Sequence, residues 1–386
     1  MKKTFFCSAA FFALCSFLAS AQASQAQVQF VKGNISDKIS AVKSSGDGEL
    51  AKKAVDFVIE NSTILKNDRD LAGLAVAGIL SYPVDAYKAD PAATQKKFST
   101  LFYAFDDANV QVSALDKISA LYKEKPLSDW TAFVNGYLSQ KIALGGSPDE
   151  SAKKSVSALG SIGNGSSFGV LYSILKQNIW TEIQPSVLDS LSKIADKSLN
   201  ETFEEIDKAD LVELKLLSKI FVKNDKISAA LRSEIAEKLL NRSMILSGNS
   251  SGSQDLAFFQ LECAKVLSDN KWTRAGGLAK DYFNVAKAAY NGKFLTPEQW
   301  TSAISCVETL ASRGAVLPFS EYLDQMNKAQ ESGNSPDKAV VLAVINALAN
   351  LGDKSSFDCL LYVTYVQDYP EEVAVAARNA LTRLKW

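Results

Sequence analysis

From Glu49 onward the apolar residues recur at helical spacing. Leu50, Ala54, Phe57 and Val58 fall at i, i+4, i+7 and i+8, one face of a helix. Similar stripes continue to the C-terminus. Phe98, Leu101, Phe102 and Phe105 are spaced to face a core, and Leu71 to Leu80 reads as a buried helix rich in small side chains. That run is shorter than the roughly 18 apolar residues a membrane span needs. No strand-and-hairpin series interrupts the pattern, since Asn291-Gly292 lies between helical segments rather than alternating ones. With 20 Gly and 9 Pro in 386 residues, helix breakers are scarce. The expected fold class is all-α. Residues 25–48 are polar, rich in Ser and Gln, and read either as a tether or as a loosely docked first helix.

The stripes repeat. Ala158-Leu-Gly-Ser-Ile-Gly-Asn-Gly-Ser-Ser-Phe-Gly-Val-Leu-Tyr172 aligns with Ala347-Leu-Ala-Asn-Leu-Gly-Asp-Lys-Ser-Ser-Phe-Asp-Cys-Leu-Leu361, with 7 of 15 positions identical, and Ser190 to Ser198 is a third copy. Physically, a helix ends on a small-Leu-x-x-Leu/Ile face. Gly or Ala followed by Asn or Asp makes the turn, and Ser or Thr is placed to cap the next helix. Weaker copies anchor at Val76, Leu115, Leu159, Leu191, Ala236, Ala264, Val307, Leu348 and Leu381, with a mean spacing of about 38 residues. Pro336-Asp-Lys-Ala339 opens a helix that closes over Leu348 to Asp353, and Tyr369-Pro-Glu-Glu-Val373 opens the last. This pattern resembles HEAT repeats, helical hairpins of roughly 40 residues. The match is best over 150–175 and 336–384 and thin between 200 and 335. Of the family's Arg feature only Arg378 is placed. The resemblance implies a right-handed α-solenoid, HEAT/armadillo-like, of about nine stacked antiparallel helix pairs.

The N-terminus has a different logic. Lys2 and Lys3 precede an apolar run from Phe5 to Leu18, and Ala21-Gln22-Ala23 follows as an A-x-A cleavage site. That is the pattern of a secretory signal peptide, and the short Lys-Lys start suggests a bacterial one. The alternative, a lipoprotein signal ending at Cys15, would put Leu14 where a small residue is expected. The expected organisation is therefore a signal peptide over 1–23, a polar segment over 24–48, and a HEAT-like α-solenoid over 49–386. The Ser/Gly-rich stretch 247–254 is either a long loop, which the continuing repeat spacing favours, or a sub-boundary.

Composition then removes chemistry. The chain has no His, so Ser-His-Asp and Cys-His nucleophile pairs, His-ligated zinc and His-coordinated haem are excluded. The formal net charge is −1, against a nucleic-acid reader. No phosphate-cradling glycine loop and no EF-hand pattern occurs. The adjacent acids Asp106-Asp107, Glu204-Glu205 and Glu371-Glu372 point about 100° apart on a helix and form no ready pair. The last two fall in a first helical turn, where negative charge meets the helix dipole. Cys263, Cys306 and Cys359 each lie in an apolar helical pattern without CxxC spacing and read as buried thiols, a disulfide among them being left open. Leu127-Ser-Asp-Trp130 and Thr296-Pro-Glu-Gln-Trp300 read as Ser- or Thr-capped helix starts with Trp packed inward. Tyr362, Tyr365 and Tyr369 share a helical face at i, i+3 and i+7, either as packing or as a groove for a peptide or glycan. The pairs Lys52-Lys53, Lys96-Lys97 and Lys153-Lys154 read as solvated faces unless they align into one basic strip.

The expectation is a non-catalytic, exported scaffold or adaptor of the bacterial cell envelope. Its partner would be another envelope protein or peptide, held on an extended surface. No cofactor, metal or catalytic residue is expected, and no individual binding residue is singled out. The rival is a glycan-binding or glycan-processing envelope protein built on an α-superhelix. An enzyme would need two carboxylates, or a carboxylate and a Tyr, converging in a cleft. A scaffold would present a broad, shallow face with exposed aromatics.

Overall fold

The computed structural model describes residues 25–65, 68–249 and 253–385. The signal-peptide reading over 1–23, Trp386, and residues 250–252 of the Ser/Gly-rich stretch lie outside them. Among the described residues the regular structure is helical, apart from one isolated bridge between Asp353 and Lys385. The chain groups into two compact units that divide between Ser198 and Leu199.

The first unit runs α1 (25–32), α2 (Ile35–Ser45), α3 (Gly48–Asn61), α4 (Arg69–Leu80), α5 (Val84–Ala89), α6 (Pro91–Ala104), α7 (Ala108–Glu124), α8 (Ser128–Leu144), α9 (Glu150–Ile162), α10 (Gly165–Lys176) and α11 (Gln184–Lys193). Helices α2, α4, α7, α9 and α11 pack side by side in one row, and α3, α6, α8 and α10 form a second. Of the two alternatives for 25–48, helix is what forms: α2 buries Ala41 and Val42 and rests on α4.

The second unit runs α12 (Leu199–Lys208), α13 (Leu211–Leu217) continuing into a π-helical stretch Ser218–Val222, α14 (Ala229–Asn249), α15 (Gln254–Asp269), α16 (Gly276–Asn291), α17 (Pro297–Ala311), α18 (Val316–Glu331), α19 (Lys338–Leu351), α20 (Phe357–Val363) and α21 (Glu371–Leu381). Here α15, α17, α19 and α21 make one row. α12, α14 and α16 pack in sequence on the other, as do α18 and α20.

The sequence period reappears as spatial stacking. Side-chain hydrogen bonds join residues one period apart, at separations from 31 to 43. Ser190 donates to the Val156 carbonyl at 2.8 Å, Lys88 pairs with Glu124 at 2.7 Å, and Lys223 pairs with Glu262 at 3.0 Å. Within each unit, successive helices along a row are thus neighbours, which is compatible with a helical repeat. The two best sequence copies bury the same positions: Ala158 and Ala347, Leu159 and Leu348, Ser167 and Ser356, Leu171 and Leu360.

Local chemistry at the turns corrects two details. Asn164 and Asp353 stand at the N-cap of the elements that follow the repeat turns, with Ser167 completing a capping box with Asn164; of the serines, Ser167 and Ser356 are buried and Ser166 and Ser355 exposed. Ser128 is likewise no cap: α8 starts from Leu127 without a side-chain cap, whereas Thr296 forms a reciprocal capping box with Gln299. Asn291-Gly292 ends α16, but the left-handed residue is Lys293, at φ 63°. The same two-bond helix stop, with the residue after it bonding six back to one, closes at Asn178, Lys271 and Gly333.

Cys263, Cys306 and Cys359 are buried and unbridged. Burial pushes the Cys306 thiol up to about 11 and raises those of Cys263 and Cys359. These three thiols should therefore be unreactive toward a disulfide reagent at pH 8 in the native chain and should all titrate on unfolding. A thiol reacting before the unfolding transition would contradict this packing.

Asp149 offers a pH test. Burial by itself would raise its pKa. Bonds from Lys141 (2.6 Å), Ser151 (2.7 Å) and the Ala152 amide (2.7 Å) outweigh burial and hold it below the ordinary 3.8. A carboxyl with a depressed folded pKa adds stability above its unfolded pKa and loses it as pH falls through the folded value. Asp149→Ala should cost about 1 kcal/mol at neutral pH through the lost cap. The gap to the parent chain should shrink below pH 4 in urea melts. A gap independent of pH would mean the cap is not electrostatic.

Candidate functional site

A concavity of about 950 Å³ crosses α3, α6 and α8 of the first unit. It is built by the amphipathic register of α6. Phe98, Leu101 and Phe102 turn inward and are fully buried, which sends Gln95, Ser99, Thr100 and Tyr103 to the opposite face. Ser62 and Thr63, where α3 ends, form one wall. Asp129, Ala132 and Phe133 in the first turns of α8 form the other, with Asp106 from the α6–α7 loop.

Tyr103 is 58% exposed and is held from behind by edge-to-face rings: Phe102 at 5.5 Å and Phe133 at 5.8 Å between centroids. Partial burial raises the pKa of its hydroxyl. Three hydroxyl protons of the lining are already used. Ser62 donates to the Ile59 carbonyl (2.9 Å), Ser99 to Gln95 (3.0 Å) and Thr100 to Lys96 (2.8 Å). Their oxygens therefore remain as acceptors, beside two carboxylates. Of the adjacent acids Asp106 and Asp107, the second caps α7 through the amides of Asn109 (2.8 Å) and Val110 (3.2 Å), and only Asp106 reaches the groove.

Other concavities differ in kind. A neighbouring depression of about 280 Å³ shares Thr100 and holds the Lys97–Asp56 pair at 2.5 Å. In the second unit, a polar depression of about 360 Å³ crosses α12, α14 and α16 and is lined by charges of both signs. Arg274 pairs with Glu234 (3.4 Å) and Glu237 (3.2 Å), and Lys238, also in the lining, pairs with Asp207 (2.7 Å). A smaller apolar pocket of about 300 Å³ lies among α14, α15 and α16. Among the described residues, no group of three or more His, Cys, Asp or Glu is placed to hold a metal ion.

Apart from Asp106, the features singled out from sequence as candidate chemistry fall elsewhere. Glu371 and Glu372 do sit in the first turn of α21, where they pair with Arg378 and with Lys338 (2.8 Å). Tyr362, Tyr365 and Tyr369 do not share a helical face, because α20 stops at Val363. Tyr362 bonds Glu331 (2.5 Å), Tyr369 bonds Asn327 (3.2 Å), and Tyr365 is 71% exposed. Four of the six lysines of these pairs are taken up in ion pairs: Lys52 with Glu49, Lys97 with Asp56, Lys153 with Glu150 and Lys154 with Asp116. Of the groove residues, Asp106 and Asp129 lay in segments noted in the sequence, an acidic pair and a helix start, but neither was read as a site. For Tyr103 the sequence signal was an aromatic with a polar tip, one step off an apolar stripe. Compared with protein-family models, with curated proteins and with solved structures, the chain matches none significantly.

Proposed function

We propose that this chain is a non-catalytic, exported scaffold or adaptor of the bacterial cell envelope that binds a segment of another protein in the α3/α6/α8 groove. The single observation that carries the reading is the groove itself: open, spanning three successive helices, with an exposed aromatic on a rigid ring stack. Extended faces of stacked helices hold extended partners by complementarity rather than by a deep pocket. Export rests on the sequence of residues 1–23, with the periplasm as the compartment and secretion or lipid anchoring as alternatives. We read the rows of each unit as parts of a right-handed, HEAT-like solenoid of about nine helix pairs, supported by the recurring stacking distance along the chain.

A photo-crosslinking residue placed at Tyr103, and as a control at Val212, which is exposed in the second unit, tests this in cells. The expected result is a discrete adduct with one or two envelope proteins from position 103 alone. Equal adducts from both positions, or none, would sink the reading. A second reading has one observation in its favour. Tyr103 and Phe133 beside hydroxyl and carboxylate oxygens also suit a sugar ring, so recovery of cell-wall fragments on the position-103 probe would favour a glycan binder.

A further inference from the structure

We propose that the occupant of the α3/α6/α8 groove is a cationic peptide segment, with an arginine or lysine side chain answered by Asp106 and Asp129 and lying against Tyr103 and Phe133. The proposal rests on the protein-binding reading above and narrows its partner.

Charge is the first argument. The charged residues lining the groove are Asp106 and Asp129, both exposed, with no cation among the lining, and neither forms an ion pair with a described residue. Two other depressions differ. Asp56 in the adjoining one is paired with Lys97, and Glu234 and Glu237 in the second unit are paired with Arg274. Both of those depressions carry cations in their lining, whereas the groove has two carboxylates and none.

Hydrogen-bond inventory is the second. With the protons of Ser62, Ser99 and Thr100 given to their own helices, the lining presents mainly acceptors. A partner rich in donors satisfies it, and a guanidinium has five and accepts none. The aromatic wall is the third. The face of an exposed tyrosine attracts a cation through its quadrupole. The same pairing occurs within the protein, where Arg274 lies over Trp272 at 4.8 Å and Lys141 over Tyr137 at 5.5 Å. An acidic or phosphorylated segment would meet like charge.

Fluorescence anisotropy on the full mature chain tests this with three labelled Gly/Ser peptides of equal length carrying arginines, glutamines or glutamates, and with a labelled cell-wall oligosaccharide. The expected result is at least tenfold tighter binding of the arginine peptide than of the glutamine one, weakening with salt. D106N/D129N should abolish that preference while leaving the thermal melt unchanged, since both side chains are exposed. If the arginine and glutamine peptides bind alike, or the double variant keeps the preference, the cationic partner is wrong. Y103A then separates the two readings. Loss of all peptide binding in Y103A keeps the groove as a protein site. Unchanged peptide binding in Y103A, no peptide binding at all, or binding of the oligosaccharide alone overturns both.

Discussion

Trp130→Ala is expected to be the most damaging single truncation in the first unit, lowering stability by about 3–5 kcal/mol. Trp130 is fully buried at the start of α8, with Phe98 at 6.0 Å and Phe133 at 6.4 Å between centroids. Its indole N–H donates to the Tyr87 hydroxyl at 3.3 Å, and Tyr87 in turn donates to the Lys125 carbonyl at 2.5 Å. Truncation therefore opens a cavity and also strands a link in a buried polar chain that ties α5 to the α7–α8 turn. In a thermal melt this corresponds to a drop of about 6–20 °C for a unit of this size. Trp130→Phe should recover most of the loss, because it restores ring volume while Tyr87 keeps its carbonyl partner. A melt of Trp130→Ala within a degree of the parent would mean that the ring is not packed as described. Because Phe133 also backs Tyr103, the truncation should loosen the groove as well.

The second large effect is an insertion rather than a deletion. Gly160 on α9 faces α11. A Cβ there would stand 2.8 Å from Ser190 Oγ and 3.0 Å from Ser190 Cα. The second of these is backbone and cannot swing away. Ser190 is also fixed by its bond to the Val156 carbonyl, so α9 and α11 would have to separate. Gly160→Val should cost about 1–3 kcal/mol by overpacking. Gly169, exposed within α10, is the internal control: a Cβ there meets nothing within 4 Å. Gly169→Ala should instead stabilise by about 0.5–1 kcal/mol through helix propensity. Opposite shifts in paired urea melts are the expected outcome, and two shifts of the same sign would refute the close approach at Ser190.

Much of the architecture could be read residue by residue. The stripes at Leu50, Ala54 and Val58 and at Phe98, Leu101 and Phe102 are buried as their spacing requires. The turns after Ile162 and Leu351 fall where the repeated motif placed them. The readings that failed share a cause. Tyr362, Tyr365 and Tyr369 fit a helical period only if the helix continues, yet α20 stops at Val363, and Asp368 adopts φ 66°. The serines after Asn164 and Asp353 fall inside the elements, and the Asn or Asp at the extended residue just before each takes the cap. Period and composition do not resolve such competitions between neighbouring residues, because each depends on a backbone path a few residues long.

By itself the sequence determined the helical class, the core faces and the absence of histidine chemistry. Each of these follows from local spacing or from residue inventory, which need no third dimension. Only tertiary structure decided which carboxylates are satisfied. Asp56 finds Lys97 and Glu237 finds Arg274 across a helix row, whereas Asp106 and Asp129, from different helical elements, arrive at one groove without a cation. Pairing of charges depends on distances between segments one period apart, and those distances are set by how side chains between the helices pack. The same packing turns Tyr103 outward on a rigid ring stack, so the groove is a product of the stacked helices rather than of any motif in the chain.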